Sequence, residues 1–168
     1  MHARRLPAAG ALTWAVVAYS TADARQQMLD TLAKAADELG AALALLTEAY
    51  EQLDESTAER LEQELFRPVQ SAYGRARRTH AEFAERHDLP GRAFAPAAPA
   101  APSKGIKGFI ETAVATVAQA DATLATLQDS MLPVEVGDAQ LRAGLEEVRS
   151  LIDHTRSRAR ELLRTFGR

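Results

Sequence analysis

A cysteine-free chain of 168 residues with net charge −3 is long enough for one self-sufficient core and excludes disulfides, thiolate metal sites and cysteine nucleophiles. Apolar residues make up 46% and aromatics only 5%, so the core must be built from Ala and Leu on closely packed helices. The near-neutral charge argues against wholesale non-specific nucleic-acid binding, and the lack of cysteine suits a cytoplasmic protein.

At the N-terminus, Arg4 and Arg5 precede an uncharged run over residues 6–22 that carries Leu12, Trp14, Val16, Val17 and Tyr19. In outline it resembles a short secretory signal. Gly10, Thr13, Ser20 and Thr21 make it a poor membrane span, and it falls short of transmembrane length, so no transmembrane segment is expected. Pro7 suits a first helical turn, and the run predicts a short separate helix over 8–19. A core helix, an oligomerisation arm and a targeting element all remain compatible with it.

Four long helices follow, each marked by small or apolar residues spaced alternately four and three apart, the signature of side-by-side packing in the manner of a coiled coil. The first, over 21–54, carries Met28, Leu32, Ala35, Leu39, Ala42, Leu46, Ala49 and Leu53, with a capping box at Ser20–Asp23. The second, over 56–88, carries a looser series: Ala58, Leu61, Leu65, Val69, Ala72, Ala76, His80 and Phe83. Ser56 with Glu59 reads as its capping box, and the short turn before it forces antiparallel neighbours. Pro68 cannot donate to the carbonyl of Glu64, which predicts a kink there. An Ala/Pro linker occupies 89–102; at about 3.1 Å per residue it reaches roughly 40 Å, so it permits either helix order after it. Ser103 caps the third helix, over 103–131, with Ile106, Ile110, Ala113, Val117, Ala120, Leu124, Leu127 and Met131 on its stripe. A loop runs from Leu132 to Gly137. Asp138 then caps the fourth helix, over 138–167, with Leu141, Leu145, Val148, Ile152, Thr155, Ala159, Leu162 and Phe166. The expected fold is all-α: one domain over 1–168, an antiparallel four-helix bundle of two αα-hairpins with the extra short N-terminal helix.

Chemistry is sparse. There is no Glu-x-x-His pair, no Asp or Glu on any stripe, no nucleophile elbow, no phosphate loop and no dinucleotide fingerprint. No catalytic residue, metal ligand or cofactor is therefore expected, and His80, His87 and His154 are not expected to converge. Lys104, Gly105, Lys107 and Gly108 at the start of the third helix are read as capping rather than as an anion site.

Two surfaces stand out. Between Phe109 and Gln128 the third helix has only Glu111 and Asp121 as charges. A helix without a charged face is usually covered, so Thr112, Thr116, Gln119 and Thr123, together with Trp14 and Val17, form a candidate interaction surface. The second and fourth helices both start acidic and end basic. If they ran parallel, Arg75, Arg78, Arg86, Arg156, Arg160 and Arg164 would crowd one end as a candidate anion-binding surface. No aromatic stacking residues are interleaved with them, so no strong nucleic-acid signal results.

Tyr50-Glu51-Gln52-Leu53-Asp54 and Tyr19-Ser20-Thr21-Ala22-Asp23 resemble the Tyr-x-x-x-Asp/Glu export signal of type VII secreted helical-hairpin proteins. The Trp-x-Gly turn of that family is missing between Asp54 and Ser56, and the family is not assigned. The functional expectation is a non-catalytic bundle acting through protein–protein contacts, as a homo-oligomer or with another protein. The alternative is a small-ligand or anion binder using the core or the arginine-rich end.

Overall fold

The computed structural model describes residues 9–95 and 105–166, with side chains described from Thr21 onward. Among them there are five helices and no strand. We number them α1 (Ala9–Glu51), α2 (Glu55–Leu61, Glu62–Phe66 and Arg67–Arg86 in unbroken succession), α3 (Gly105–Asp129), α4 (Leu132–Val136) and α5 (Ala139–Phe166).

The stripes fold as their spacing requires. Met28, Leu32, Ala35, Leu39, Ala42, Leu46 and Ala49 of α1 are buried, as are Ile110, Ala113, Val117, Ala120, Leu124 and Leu127 of α3. On α5, all members from Leu141 to Leu162 are buried. Together with Leu61, Leu65, Val69, Ala72, Ala76 and Phe83 of α2 they form one continuous core. Met131 departs from its stripe: it leaves α3 in left-handed backbone (φ 65) and is 54% exposed.

Three element boundaries differ from expectation. First, α1 is one helix of 43 residues, and the helix expected separately over 8–19 is its beginning. The Ser20–Asp23 box does not start a new helix because no proline or glycine interrupts the chain there, and extending a helix is far easier than nucleating another. Second, the cap of α2 is Asp54, not Ser56: its carboxylate accepts from the Thr57 amide at 3.1 Å and the Thr57 hydroxyl at 2.7 Å. Third, the expected loop after α3 holds the short helix α4, opened by Met131 and closed by Gly137 (φ 71), with Pro133 buried. The Ser103 cap and the second half of the Ala/Pro linker, 96–102, lie outside the described residues.

Pro68 does not break α2. The turn before it, Glu62–Phe66, opens into a π-helix, with the Arg67 amide donating to the Glu62 carbonyl. A widened turn moves backbone away from the proline ring and accommodates its missing donor.

Each long helix packs against two others: α1 on α2 and α3, and α5 on α2 and α3. Cross-helix pairs give direction. Arg75 meets Glu147 and Arg86 meets Asp138, while Gln63 and Pro68 share a cleft with His154 and Arg158, so α2 and α5 pass in opposite directions. Glu38 meets Thr123, and Leu46 lies with Ala113 and Val117, so α3 starts near the α1–α2 turn. The end of α2 lies at the opposite end, and the chain between Asp88 and Gly105 has to travel the length of the helices. No described helix is long and apolar enough to cross a membrane.

Candidate functional site

Of the residues expected to form an interaction surface, Thr112 and Gln119 are exposed on the outer face of α3 and Thr116 is half-buried beside them. Thr112, Ala115, Gln119, Ala122 and Thr126 are exposed, repeating the three–four alternation on the side away from the core. The hydroxyls of Thr112, Thr116 and Thr126 donate back to the carbonyls of Gly108, Thr112 and Ala122 at 2.7–2.9 Å. With the hydroxyls occupied by their own helix, methyl groups face outward. The two central charges do not interrupt this face. Glu111 pairs with Lys107 at the helix start. Asp121 is turned toward α5, where Arg149 (2.9 Å) and Arg156 (3.2 Å) hold it. Thr123 is not on the surface: it is 9% exposed and donates to Glu38 Oε2 of α1 at 3.0 Å. Thr112, Thr116 and Gln119 therefore share a region, and Thr123 belongs to the α1–α3 contact. The side chains of Trp14 and Val17 lie outside those described.

The arginines are not brought together. Because α2 and α5 pass in opposite directions, Arg75, Arg78 and Arg86 lie at one end and Arg156, Arg160 and Arg164 at the other. Each basic half faces an acidic half. Arg75 lies 2.7 Å from Glu147, and Arg86 grips Asp138 through both Nε (3.0 Å) and Nη2 (2.9 Å). Arg156 is held by Asp121, while Arg78, Arg160 and Arg164 are exposed.

Asp138 is the most heavily used polar group. Its side chain is 7% exposed and accepts from Arg86, from the Leu141 amide at 2.8 Å and from His87 Nε2 at 2.8 Å. Burial alone would raise its pKa. The hydrogen bonds from Arg86, Leu141 and His87 and the charge of Arg86 outweigh it and hold the carboxyl at about 2. It thus caps α5, as expected, and also fastens the end of α2 to it.

The three described histidines stay apart. His87 lies on Asp138 and against Phe83, with ring centroids 4.5 Å apart. His154 lines a surface cleft of about 270 Å3 with Gln63, Glu64, Pro68 and Arg158. His80 is buried beneath Phe94. No group of three or more His, Asp or Glu among the described residues converges where a metal ion could sit. A second cleft of about 280 Å3 lies between Thr47 and Tyr50 of α1 and Glu62 and Phe66 of the π turn. The space described inside the core, between Leu46, Leu65, Val69, Val117 and Thr155, is about 10 Å3, room for no more than one water.

One feature was missed in the sequence: Arg92 and Phe94 fold back onto α1 and α2. The available signal was Phe94, the lone aromatic of the Ala/Pro linker. No protein-family model matches this chain, and neither a curated protein nor a solved structure was found to be similar to it.

Proposed function

We propose that this chain is a non-catalytic antiparallel four-helix bundle that works through protein–protein contacts, with self-association through the outer face of α3. The ring of packing partners and the opposed directions of α2 and α5 support the bundle. The observation that carries the function is the α3 face. Five exposed positions in succession carry no charge, their threonine hydroxyls are internally bonded, and depletion of charge marks the centre of protein interfaces. The stripe from Thr112 to Thr126 is about 21 Å long, so alone it covers only a fraction of the roughly 800 Å2 per partner that a stable interface buries. Residues 9–22 of the uncharged run open α1, the helix that packs along α3, and we propose that they supply the remainder.

The test is size-exclusion chromatography with light scattering on the full chain and on Ala122→Arg. Ala122 is exposed, so the substitution should leave helicity and melting temperature unchanged while placing like charges across a symmetric contact. An oligomer that Ala122→Arg reduces to a monomer is the expected result. A wild-type monomer at high micromolar concentration would eliminate self-association. A cytoplasmic location, which a chain without cysteine suits, is proposed with it, and cell fractionation checks it.

A further inference from the structure

We propose that residues 89–95 are a strap over the α1–α2 groove, latched on neutral His80 and released when that imidazole takes up a proton. The strap begins with a defined reversal. Asp88 takes left-handed backbone (φ 52), its amide donates to the Glu85 carbonyl, and the Leu89 amide donates to the Ala84 carbonyl at 2.8 Å. This is the Schellman arrangement that turns a chain back along its own helix. Leu89 and Phe94 then pack against the core. Phe94 meets His80 edge to face, with centroids 5.1 Å apart and planes at 89°. Arg92 lies 4.4 Å above the Phe94 ring and pairs with Asp37 of α1. The strap is thus fixed to α2 through Phe94 and to α1 through Arg92.

The latch tolerates one protonation state. His80 is 2% exposed, and its Nδ1 has no hydrogen-bond partner. A neutral imidazole can leave one nitrogen as an unused acceptor. The cation must donate from both, and here one N–H would be buried without an acceptor. Facing His80 are Asp30 and Asp37 from α1 and Arg92 from the strap. Burial and then the charge of Arg92 push the His80 pKa below its ordinary 6.5, with the two aspartates pulling weakly the other way. The sign follows from linkage: a closed-state pKa below the open-state value means that the closed strap is favoured above about pH 6.5 and loses this contribution as pH falls below it. Opening lets His80 and Phe94 reach water and takes Arg92 away from the imidazole.

Residue-resolved amide exchange on the full chain, corrected for intrinsic rates, tests this between about pH 7.5 and pH 5. The expected result on acidification is loss of protection at the Leu89 amide, which donates to the Ala84 carbonyl, and loss of the nuclear Overhauser contacts between the His80 and Phe94 rings, with α3 amides unchanged. His80→Phe keeps an aromatic ring under Phe94 but cannot titrate, and its Leu89 protection and ring–ring contacts should persist at both pH values. His87 is intact in that variant, so an equal loss there would assign the effect elsewhere and overturn the proposal. Phe94→Ala gives an independent reading should His80→Phe fail to fold. Its Leu89 amide should be unprotected at both pH values, and the His80 ring protons should titrate at higher pH than in the parent chain. Unchanged wild-type protection, or a His80 titration that Phe94→Ala does not move, would equally refute the latch.

Discussion

Close approach at single residues decides several outcomes that composition does not. A Cβ built on Gly144 would lie 2.5 Å from Thr79 Oγ1 and 2.6 Å from Thr79 Cγ2. Both branches of a buried, stiff side chain stand in the way, so Thr79 cannot yield by rotating. Alanine is the better helix former by about 1 kcal/mol, yet Gly144→Ala should destabilise the fold by about 1–3 kcal/mol through overpacking. Adding Thr79→Ala to that variant should recover most of the loss, since the two positions share one contact. Gly74, also inside α2, has nothing within 4 Å of its would-be Cβ. Gly74→Ala should therefore stabilise by about 0.5–1 kcal/mol. Urea denaturation of the variants separates these signs. Asp138 makes a different prediction. Its folded pKa, at about 2, lies below the ordinary aspartate value of 3.8. The stabilisation is therefore complete above about pH 4 and is lost as pH falls from there through 2, and just under two units correspond to ~2 kcal/mol. Asp138→Asn retains a capping oxygen but removes the titration, so its stability should fall less steeply over that window. Parallel curves for the two proteins would remove Asp138 as the source.

Among the elements, what was legible in the sequence was whatever depends on local periodicity. A helix stripe is a property of neighbouring residues, and nearly every stripe position on all four long helices is buried. Boundaries were less legible because caps compete with extension. Ser20–Asp23 offers a good cap, but nothing ends the helix before it, so α1 runs through. At Asp54–Thr57 three capping side chains (Asp54, Ser56 and Thr57) stand nearly side by side, and only geometry chooses Asp54. The π turn was half legible: Pro68 marked the place but not the form that the backbone takes there. The end of α3 was misread because Met131 continues the spacing after the helix has stopped. Its left-handed backbone is the position that usually holds glycine. Met131→Gly should thus stabilise by about 0.5–1 kcal/mol, because little packing is lost from a side chain that is 54% exposed and the strain of a Cβ at positive φ is relieved. Thermal denaturation checks it, and a clear loss of stability would mean that Met131 contributes packing beyond its exposure.

For the whole molecule, the orientation of one hairpin against the other controls how charge is distributed, and no local pattern encodes it. The same linker permits α2 and α5 to run together or opposed. Opposition pairs Arg75 with Glu147 and Arg86 with Asp138 and leaves no common basic end. The α3 face, by contrast, was legible, because absence of charge is visible in sequence; only Thr123 had to be reassigned to the interior. The strap was not legible, since Phe94 reaches His80 only once the chain has reversed at Asp88. In the proposed bundle, α2 ends near the level of residue 27 of α1 and α3 begins near the α1–α2 turn. Some 25 to 29 helical residues separate those levels, or roughly 40 Å at 1.5 Å each. The sixteen residues 89–104 span about 50 Å at 3.1 Å each, with modest slack. Deleting 96–101, which removes no described contact, leaves ten residues and about 31 Å, or at most about 36 Å fully extended. The shortened chain cannot connect the hairpins in place. It should exchange hairpins with a second copy or lose cooperative unfolding, whereas a Gly/Ser replacement of equal length should keep the parent stability. Light scattering and thermal denaturation of the pair decide the matter. A shortened chain with parental mass and melting temperature would show that α2 and α3 are joined across a shorter path, and the proposed bundle order would be wrong.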